Sequence, residues 1–390
     1  MAGSTTTITQ STGKAIINWQ SFGTAANETV NFNQPSTSSV TLNRVIGNER
    51  SVLNGALNAT GQVFLVNSAG VLIGQGASVN TAGFVASTLG ISDDNFNKGN
   101  YSFTSGGTAG SVINLGTITV PSGGYVALLG QTVSNQGVIR ATRGTVALAG
   151  GDAVTLNFNG NSLVSVSVDQ GALDALVENR QAIYADGGTV ILTAKAADDL
   201  LSAQVNNDGL IQARTIDDLK GSISLHAYNG TTNVAGTLDA SAPTGGDGGA
   251  IETSGDTVKV ADSAVITTQA AQGQNGNWLI DPDGFTIGVG GDMTGTALTA
   301  ALANGNVAIV STQGSGGDGN INIDAQLGTG STLTPSVSVN GLPNNLTLTA
   351  TNNINVNAPV SWSANVAYPD GPLPPPSPTI RRGFGPVPST

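Results

Sequence analysis

The chain has 390 residues, of which 39% are hydrophobic, and it carries 54 glycines, no cysteine and a formal net charge of −12. This apolar content supports a continuous core, which excludes a chain that is disordered throughout. With only 13 Lys and Arg residues, the sequence offers no basic surface for nucleic acid or anionic lipid. The lack of cysteine excludes disulfides, thiolate metal sites and cysteine nucleophiles.

The first 13 residues are polar and lack a basic region followed by an apolar stretch. The sequence therefore predicts no signal peptide, so an exported protein would be represented here by a mature fragment. A run of about 18 apolar residues, which a membrane-spanning helix needs, is also missing. We expect no membrane span.

Two phrases recur along the chain and predict a solenoid. The first is a valine-rich phrase in which apolar and polar residues alternate, as in β-strands; it begins at Gly124, Gly144, Gly188 and Gly221. The second places a glycine between short β-formers, which predicts a strand, a tight corner and a strand; it occupies residues 113–118, 134–139, 206–211 and 233–238. Neighbouring copies lie about 20 residues apart, roughly one turn of a three-sided parallel β-helix.

The repeat is interrupted between residues 151 and 187, which predicts an excursion outside the coil. Within it, residues 170–180 have the apolar spacing of a helix. A second helix is predicted at residues 296–304, because Gly305 follows it directly.

From about residue 245 the sequence becomes richer in Gly and Asp, yet strand patterns return as far as residues 354–356. We therefore expect the coil to continue with irregular rungs to about residue 368. The proline-rich sequence that follows, residues 369–390, cannot donate a regular strand ladder and predicts a disordered, polyproline-like tail.

A family resemblance rests on six segments, which are residues 15–22, 28–32, 43–46, 61–71, 80–89 and 276–287. In content, order and spacing they resemble the filamentous-haemagglutinin and high-molecular-weight adhesins, which are exoproteins of two-partner secretion. The resemblance implies an all-β, right-handed parallel β-helix with an N-terminal β cap. It also implies a secretion domain at residues 1–245 and the start of an adhesin passenger at 246–368.

The resemblance further implies a secreted, non-enzymatic protein of a Gram-negative bacterium. Its partners would be an outer-membrane transporter with periplasmic POTRA domains and a receptor on host or bacterial surfaces, with a glycan as one candidate. No cofactor is expected. A toxin stalk of contact-dependent inhibition would share this N-terminal region, but no effector domain is visible in the sequence.

The family's Asn-Pro-Asn-Gly-Ile motif is represented by a variant that keeps the first Asn and the Gly; its residues are Asn67, Ser68, Ala69, Gly70 and Val71. Gly70 can adopt a positive φ and Asn67 can hydrogen-bond locally, so a turn is expected. A supporting strand segment consists of Asn43, Arg44 and Val45. Whether Asn67 contacts the transporter or only shapes the turn depends on its burial.

A polysaccharide-active β-helix enzyme is the alternative, and it would need carboxylates from distant positions to meet in one groove. The visible acidic pairs are 93–94, 198–199 and 217–218, which we expect to be solvated. The sole histidine, His226, is expected on the surface, either on the side of its strand opposite Ile223 and Leu225 or at the strand edge. Two Gly-Asp segments, 245–249 and 316–320, resemble calcium-binding turns but lack the nine-residue repeat, so no metal site is predicted.

Two further features remain open at the sequence level. Trp19, Phe22, Phe32 and Phe64 are expected to seal the N-terminal end of the core, with a binding surface as the alternative. The Asn-X-Ser/Thr pattern of glycosylation occurs at Asn27, Asn58, Asn100, Asn229 and Asn345. In a chain so rich in Asn and Thr, these matches arise readily by chance.

Overall fold

Short parallel strands recur in a fixed order along the chain and stack into three faces. The computed structural model describes residues 3–107, 110–325, 327 and 344–358. A typical strand of the coil pairs in parallel with the strand one turn earlier and the strand one turn later, as Val126 pairs with both Phe84 and Val146. The predicted parallel β-helix is therefore confirmed. The predicted tail at 369–390, and the expected end of the coil near 368, lie outside the described residues.

The three faces follow one another in each turn of the coil. The first face consists of Thr5–Thr9, Thr29–Asn33, Ala56–Ala59, Ser78–Asn80, Thr117–Thr119, Val138–Arg140, Ala182–Tyr184, Leu210–Gln212, Thr237–Asp239 and Val265–Thr267. The second consists of Lys14–Trp19, Val40–Val45, Gln62–Val66, Gly83–Ser87, Tyr125–Gly130, Thr145–Gly150, Thr189–Lys195, Asn277–Asp281, Asn306–Ser311 and Leu346–Ala350. The third consists of Ser51–Leu53, Val71–Ile73, Ser111–Asn114, Thr132–Asn135, Leu176–Asn179 and Ala203–Asn207.

Two long strands, Ser222–Val234 and Ala250–Val260, belong first to the second face and then to the third. Beyond these two strands, a small parallel sheet corresponds to the third face, because each of its strands follows a second-face strand along the chain. Its strands are Phe285–Ile287, Ile321–Ile323 and Ile354–Val356. Two short antiparallel strands, Gln313–Gly314 and Gly317–Asp318, lie in the chain between Asn306–Ser311 and Ile321–Ile323.

Inward Val, Ile, Leu and Ala side chains from all three faces form one continuous core along the coil. The corner before the second face is a column of glycines, which are Gly124, Gly144, Gly188, Gly221, Gly249 and Gly276. A Cβ on Gly144 would lie 1.9 Å from the Gly124 carbonyl oxygen, so successive rungs stack closely only without a side chain here. The glycines that begin the valine-rich phrase are thus explained by packing between rungs.

The corner after the third face carries a buried asparagine ladder, formed by Asn114, Asn135, Asn179 and Asn207. Each side-chain amide donates to the Oδ1 of the next, and all three donor–acceptor distances are 2.8 Å. Apolar residues take this position in the rungs before and after, Ile73 and Val234. A satisfied polar ladder of this kind fixes the register of the rungs it connects.

The predicted helix at residues 170–180 is wrong. Leu176–Asn179 is a third-face strand, paired in parallel with Thr132–Asn135 and Ala203–Asn207. Val177 enters the core and Asn179 joins the ladder, so tertiary pairing overrides the local apolar spacing.

The excursion predicted between residues 151 and 187 exists only in its first part, because Leu176–Asn179 and Ala182–Tyr184 belong to the coil. That first part belongs to an antiparallel sheet. Its strands Tyr101–Thr104, Ala153–Asn159 and Ser162–Gln170 lie against the outer side of the second face, together with a short helix, α1 (Asp93–Lys98). They enclose a second core with outward residues of that face, including Phe64 and Tyr125.

The second predicted helix is confirmed as α2 (Gly295–Ala303), with Thr294 as its N-cap. It contacts Val265–Thr267, the last described strand of the first face. Leu298 and Leu302 of α2 are buried in the main core, so the helix occupies the place of a first-face strand in its turn.

Candidate functional site

The segment 67–71 forms a tight turn between the second and third faces. Asn67 is 0% exposed, and its side-chain amide donates to the Glu49 carbonyl oxygen and the Ser51 hydroxyl, both at 2.9 Å. Its Oδ1 accepts from the Ala69 backbone N–H at 2.9 Å. Asn67 therefore connects two turns of the coil and also shapes its own turn.

The rest of this turn follows from Gly70 and Ser68. The Gly70 N–H donates to the Asn67 carbonyl oxygen at 3.0 Å, and Gly70 has a φ of 120°, a conformation that favours glycine. Val71 then begins a third-face strand with its side chain in the core. Ser68 is exposed and Ala69 is half-buried, so the turn presents chiefly these two residues to the outside.

The structure brings the two predicted segments together, because Arg44 pairs with Val66, the residue before Asn67. Asn43 is buried; its Oδ1 accepts from the Trp19 indole N–H at 3.0 Å. Val45 is buried in the main core. Neither Asn43 nor Val45 therefore presents a side chain to a partner.

Arg44 holds α1 against the outer side of the second face. Its guanidinium donates to the Ile91 carbonyl oxygen and the Asp93 carboxylate, both at 2.7 Å. A second basic residue, Lys14, donates to the carbonyl oxygens of Phe96 and Asn97 at 2.8 and 3.0 Å. Hydrogen bonds from Arg44 and Lys14 thus connect both ends of α1 to second-face strands.

The capping residues of α1 are a sequence signal for a helix that the sequence-based prediction missed. Ser92 is the N-cap and accepts from the Asn95 N–H at 3.2 Å, while Gly99 ends the helix with a φ of 79°. Asp93 and Asp94 occupy the first turn, where acidic residues complement the helix dipole. The acidic pair 93–94 therefore belongs to a helix N-terminus.

The four N-terminal aromatic residues divide between the two cores. Trp19, Phe22 and Phe32 pack on one another at the first turns of the coil, with ring centroids 5.5 and 6.5 Å apart. Phe64 instead faces the second core, beside Phe96 and the excursion sheet. The expectation that all four seal the end of the coil is wrong for Phe64, which points to the opposite side of its strand.

The other two acidic pairs lie in turns. Asp217 pairs with Arg143, and both Asp217 and Asp218 have positive φ values, 48° and 64°. Asp199 accepts from the Asn229 side chain at 2.8 Å.

The predicted glycosylation positions differ in accessibility. Asn27, Asn100 and Asn345 are exposed. Asn58 is instead engaged with two other first-face asparagines, and Asn229 with Asp199. Modification at any of the five stays a prediction.

His226 lies on the outer side of its strand, as the alternation in the sequence predicted. Its ring stacks on Tyr228 with centroids 3.7 Å apart. Burial lowers the pKa of the imidazole, an effect partly opposed by the negative charges of Glu252 and Asp256. The net effect favours the neutral form of the imidazole.

Several carboxylates lie near His226, but none of them belongs to the acidic pairs 93–94, 198–199 and 217–218. Burial raises the pKa of Asp281, as do the negative charges of Glu252 and Asp283. Burial also raises the pKa of Asp283, an effect that the hydrogen bond from the Gly316 N–H opposes and the negative charge of Asp256 reinforces. These residues come from different rungs, so no sequence spacing revealed the cluster. Across the described ranges, no three His, Asp or Glu side chains are placed to hold a metal ion.

Comparison with known proteins agrees with this architecture. Residues 2–240 match the model of the TPS secretion domain. The chain belongs to the TPS secretion domain family. Members of this family are exoproteins of two-partner secretion, which Gram-negative bacteria secrete. In the parts of the chain that the structure covers, none of the helices has the length and apolar character to cross a membrane.

Two curated relatives of this TPS secretion domain are heme/hemopexin-binding proteins of Haemophilus influenzae. One, from strain ATCC 51907 / DSM 11121 / KW20 / Rd, is 33% identical over 232 residues, covering 58% of this chain and 25% of the relative. The other is 32% identical over 257 residues, covering 60% of this chain and 27% of the relative. The chain thus spans about a quarter of the length of these relatives.

Among solved structures, the chain is similar to the HMW1 secretion domain from Haemophilus influenzae. The TM-score is 0.65 at 27% identity, with coverage of 90% of this chain and 94% of that domain. The structural likeness therefore extends past residue 240, where the family match ends. The strands before and after residue 245, Ser222–Val234 and Ala250–Val260, also pair directly with each other. The predicted boundary between a secretion domain and an adhesin passenger at residue 245 stays a prediction.

Proposed function

We propose that this TPS secretion domain is the export part of a secreted adhesin. An outer-membrane transporter with POTRA domains recognises it, and it folds into the β-helix outside the cell. The longer protein then attaches to host cells or other bacteria. The observation that carries the proposal is the turn at Asn67, which occupies the position of the family's motif and joins two rungs near the N-terminus.

Folding of the coil supplies a driving force for this export. Each finished rung offers an unpaired strand edge and half-buried apolar side chains to the next rung. At the last described second-face strand, Leu346 and Leu348 are still half-buried against the core. Adding a rung outside the membrane buries such residues and opposes backsliding.

Within this function we assign Asn67 to folding and Ser68 to the recognised surface. The fully buried Asn67 side chain makes three hydrogen bonds within the chain, so it has no free group for a partner. Ser68 is exposed beside it, and no hydrogen bond of its side chain is found in the described part of the chain. Arg44 supports the turn by fixing the adjacent strand to α1.

Secretion from cells with and without a co-expressed cognate transporter tests the proposal, with a signal peptide added. We expect release only with the transporter. Asn67→Ala should reduce release together with protease resistance, whereas Ser68→Arg should reduce release while the purified protein stays folded. Transporter-independent release contradicts the export function. Normal release of Ser68→Arg contradicts the assignment of Ser68 alone.

Two other functions share some of these features. The curated relatives are heme/hemopexin-binding proteins, but this chain spans only about a quarter of their length, so we do not assign that binding to this chain. The stalk of a contact-dependent inhibition toxin would carry the same export domain. A full-length sequence that ends in a nuclease or another toxin domain would favour that alternative over adhesion.

A further inference from the structure

The outer side of the second face changes character where the excursion sheet ends. The sheet contacts strands as far as Thr189–Lys195, and Ile191 packs against the second core. On the following rungs the outer positions carry His226, Glu252 and Asp281. No described apolar layer covers these positions, and the residues are half-buried.

Four side chains on this part of the face form what we term the acceptor cluster, defined as Thr193, His226, Glu252 and Asp281. Thr193 pairs in register with His226, His226 with Ser254, and Ser254 with Asp281. Side chains paired in this way lie on the same side of the sheet, about 4.8 Å apart per rung. Glu252 joins the row by accepting from the Ser254 hydroxyl at 3.0 Å.

The cluster contains unused hydrogen-bonding capacity. Thr193 is 4% exposed, and its hydroxyl has no hydrogen-bond partner among the described residues. The His226 imidazole and the Asp281 carboxylate likewise have none in the residues that the structure covers. An ionised carboxylate only accepts hydrogen bonds, whereas a hydroxyl and a neutral imidazole accept as well as donate. With the carboxylates included, the cluster offers more acceptors than donors, so the matching ligand is rich in donors.

The negative charge of the acceptor cluster also favours a ligand that donates hydrogen bonds. Two further carboxylates are near: the Asp283 N–H donates to the Asp256 carbonyl oxygen at 3.2 Å, and the negative charges of Glu252 and Asp283 both act on Asp281. Within the described ranges, none of these four carboxylates forms an ion pair. Lys195 lies one rung earlier beside Tyr228, and it also forms no ion pair there. The Tyr228 ring is 43% exposed next to His226 and offers a face for a cation.

We propose that the acceptor cluster, flanked by Tyr228, binds an organic cation that presents a primary ammonium group. An ammonium has three donors and one positive charge, which match the neighbouring acceptors His226, Glu252 and Asp281. Thr193 lies three rungs from Asp281, so its hydroxyl would meet another donor of the same ligand. Amino sugars and polyamines both carry this group. The site is separate from the turn at Asn67, so it can fail without affecting the export function.

Isothermal titration calorimetry on the purified chain tests the site, with spermidine and the fully deacetylated chitobiose as ammonium probes. We expect saturable binding of at least one probe, and the tighter one identifies the source of the ammonium. N,N′-diacetylchitobiose lacks the ammonium and should bind at least about tenfold more weakly. Absence of saturable binding by both ammonium probes, or equal binding of the acetylated sugar, overturns the proposal.

Variants locate the binding. Glu252→Gln combined with Asp281→Asn should weaken binding about tenfold or more. The control Asp174→Asn combined with Asp208→Asn removes the same charge from exposed positions elsewhere and should bind as the parent does. Equal weakening in both, or none in the first, contradicts the site. If the first variant is unstable, Tyr228→Ala decides, because loss of this exposed ring should weaken binding and unchanged binding would contradict the site.

Discussion

The second face is buried on both sides from Gln62–Val66 to Thr145–Gly150 and on one side in its later rungs. In Tyr125–Gly130 and Thr145–Gly150 every residue is buried, because the main core lies inside and the second core outside. In Asn306–Ser311 buried and half-buried residues alternate. The same architecture thus requires nearly continuous apolar sequence where it is covered and alternating sequence where it is open.

This difference makes a covering element recognisable from the amino-acid pattern of the strand that it covers. The valine-rich phrases at 125–130 and 145–150 have the pattern of strands, and their small or apolar outward residues, such as Ala127 and Ala147, indicate a second layer. The phrase at Ser222 carries serine and histidine outward instead. The turn at residues 67–71 directly follows a strand of the covered part, and the open part contains the acceptor cluster.

The largest expected effect is at Phe64, on the covered side. Phe64→Ala should lower the free energy of unfolding by about 3–5 kcal/mol, because the ring is fully buried among Phe96, Tyr101 and Phe103. Leu279→Ala, also outward but on the open side and half-buried, should cost less than about 1.5 kcal/mol. Denaturant unfolding measures both, and similar costs would remove the distinction between the two regions.

The asparagine ladder ends where the open region begins, and Asn207 is its last member. Asn207→Ala should lower the free energy of unfolding by about 2 kcal/mol, because it leaves the buried Asn179 amide without its main acceptor. The adjacent Asn206 points outward and accepts from Asn233 at 2.8 Å. Asn206→Ala should cost below about 0.5 kcal/mol, and an equal loss in both variants would argue against the buried ladder.

A smaller effect is expected where α1 is attached to the covered side. Arg44→Ala removes its bonds to Ile91 and Asp93 and should cost about 1 kcal/mol. Hydrogen exchange of the α1 amides should accelerate more than that of the neighbouring strands. Lys98→Ala removes only an exposed pair with Asp94 and should change stability by less than about 0.5 kcal/mol. Unchanged α1 exchange in Arg44→Ala would contradict the attachment.

The smallest effect is a pH dependence on the open side. The raised pKa of Asp281 means that its stability contribution is present below its usual value of 3.8 and is lost as the pH rises through the raised value. Asp281→Asn should therefore raise the melting temperature slightly at pH 7 and have no such effect at pH 3. The exposed control Asp174→Asn should show no such difference. A destabilised Asp281→Asn at pH 7 would contradict the unfavourable carboxylate environment.

The sequence was sufficient for the coil because the glycine and asparagine corners depend on packing between rungs that repeats along the chain. It was misleading at residues 170–180, where the apolar spacing of a helix occurs in a strand that supplies Asn179 to the ladder. The excursion sheet carried a hairpin signal, the two-residue turn Gly160-Asn161, with a φ of 61° at Gly160. The acceptor cluster had no such signal, since its residues meet only through stacking of rungs.

Native-state hydrogen exchange is the most direct test of the division between covered and open rungs. We expect amides of Gln62–Val66, Tyr125–Gly130 and Thr145–Gly150 to exchange only with global unfolding, because both sides of these strands are buried. Amides of Asn277–Asp281 and Asn306–Ser311 should exchange faster through local opening. Equal protection along the second face, or stronger protection in the later strands, would contradict the account.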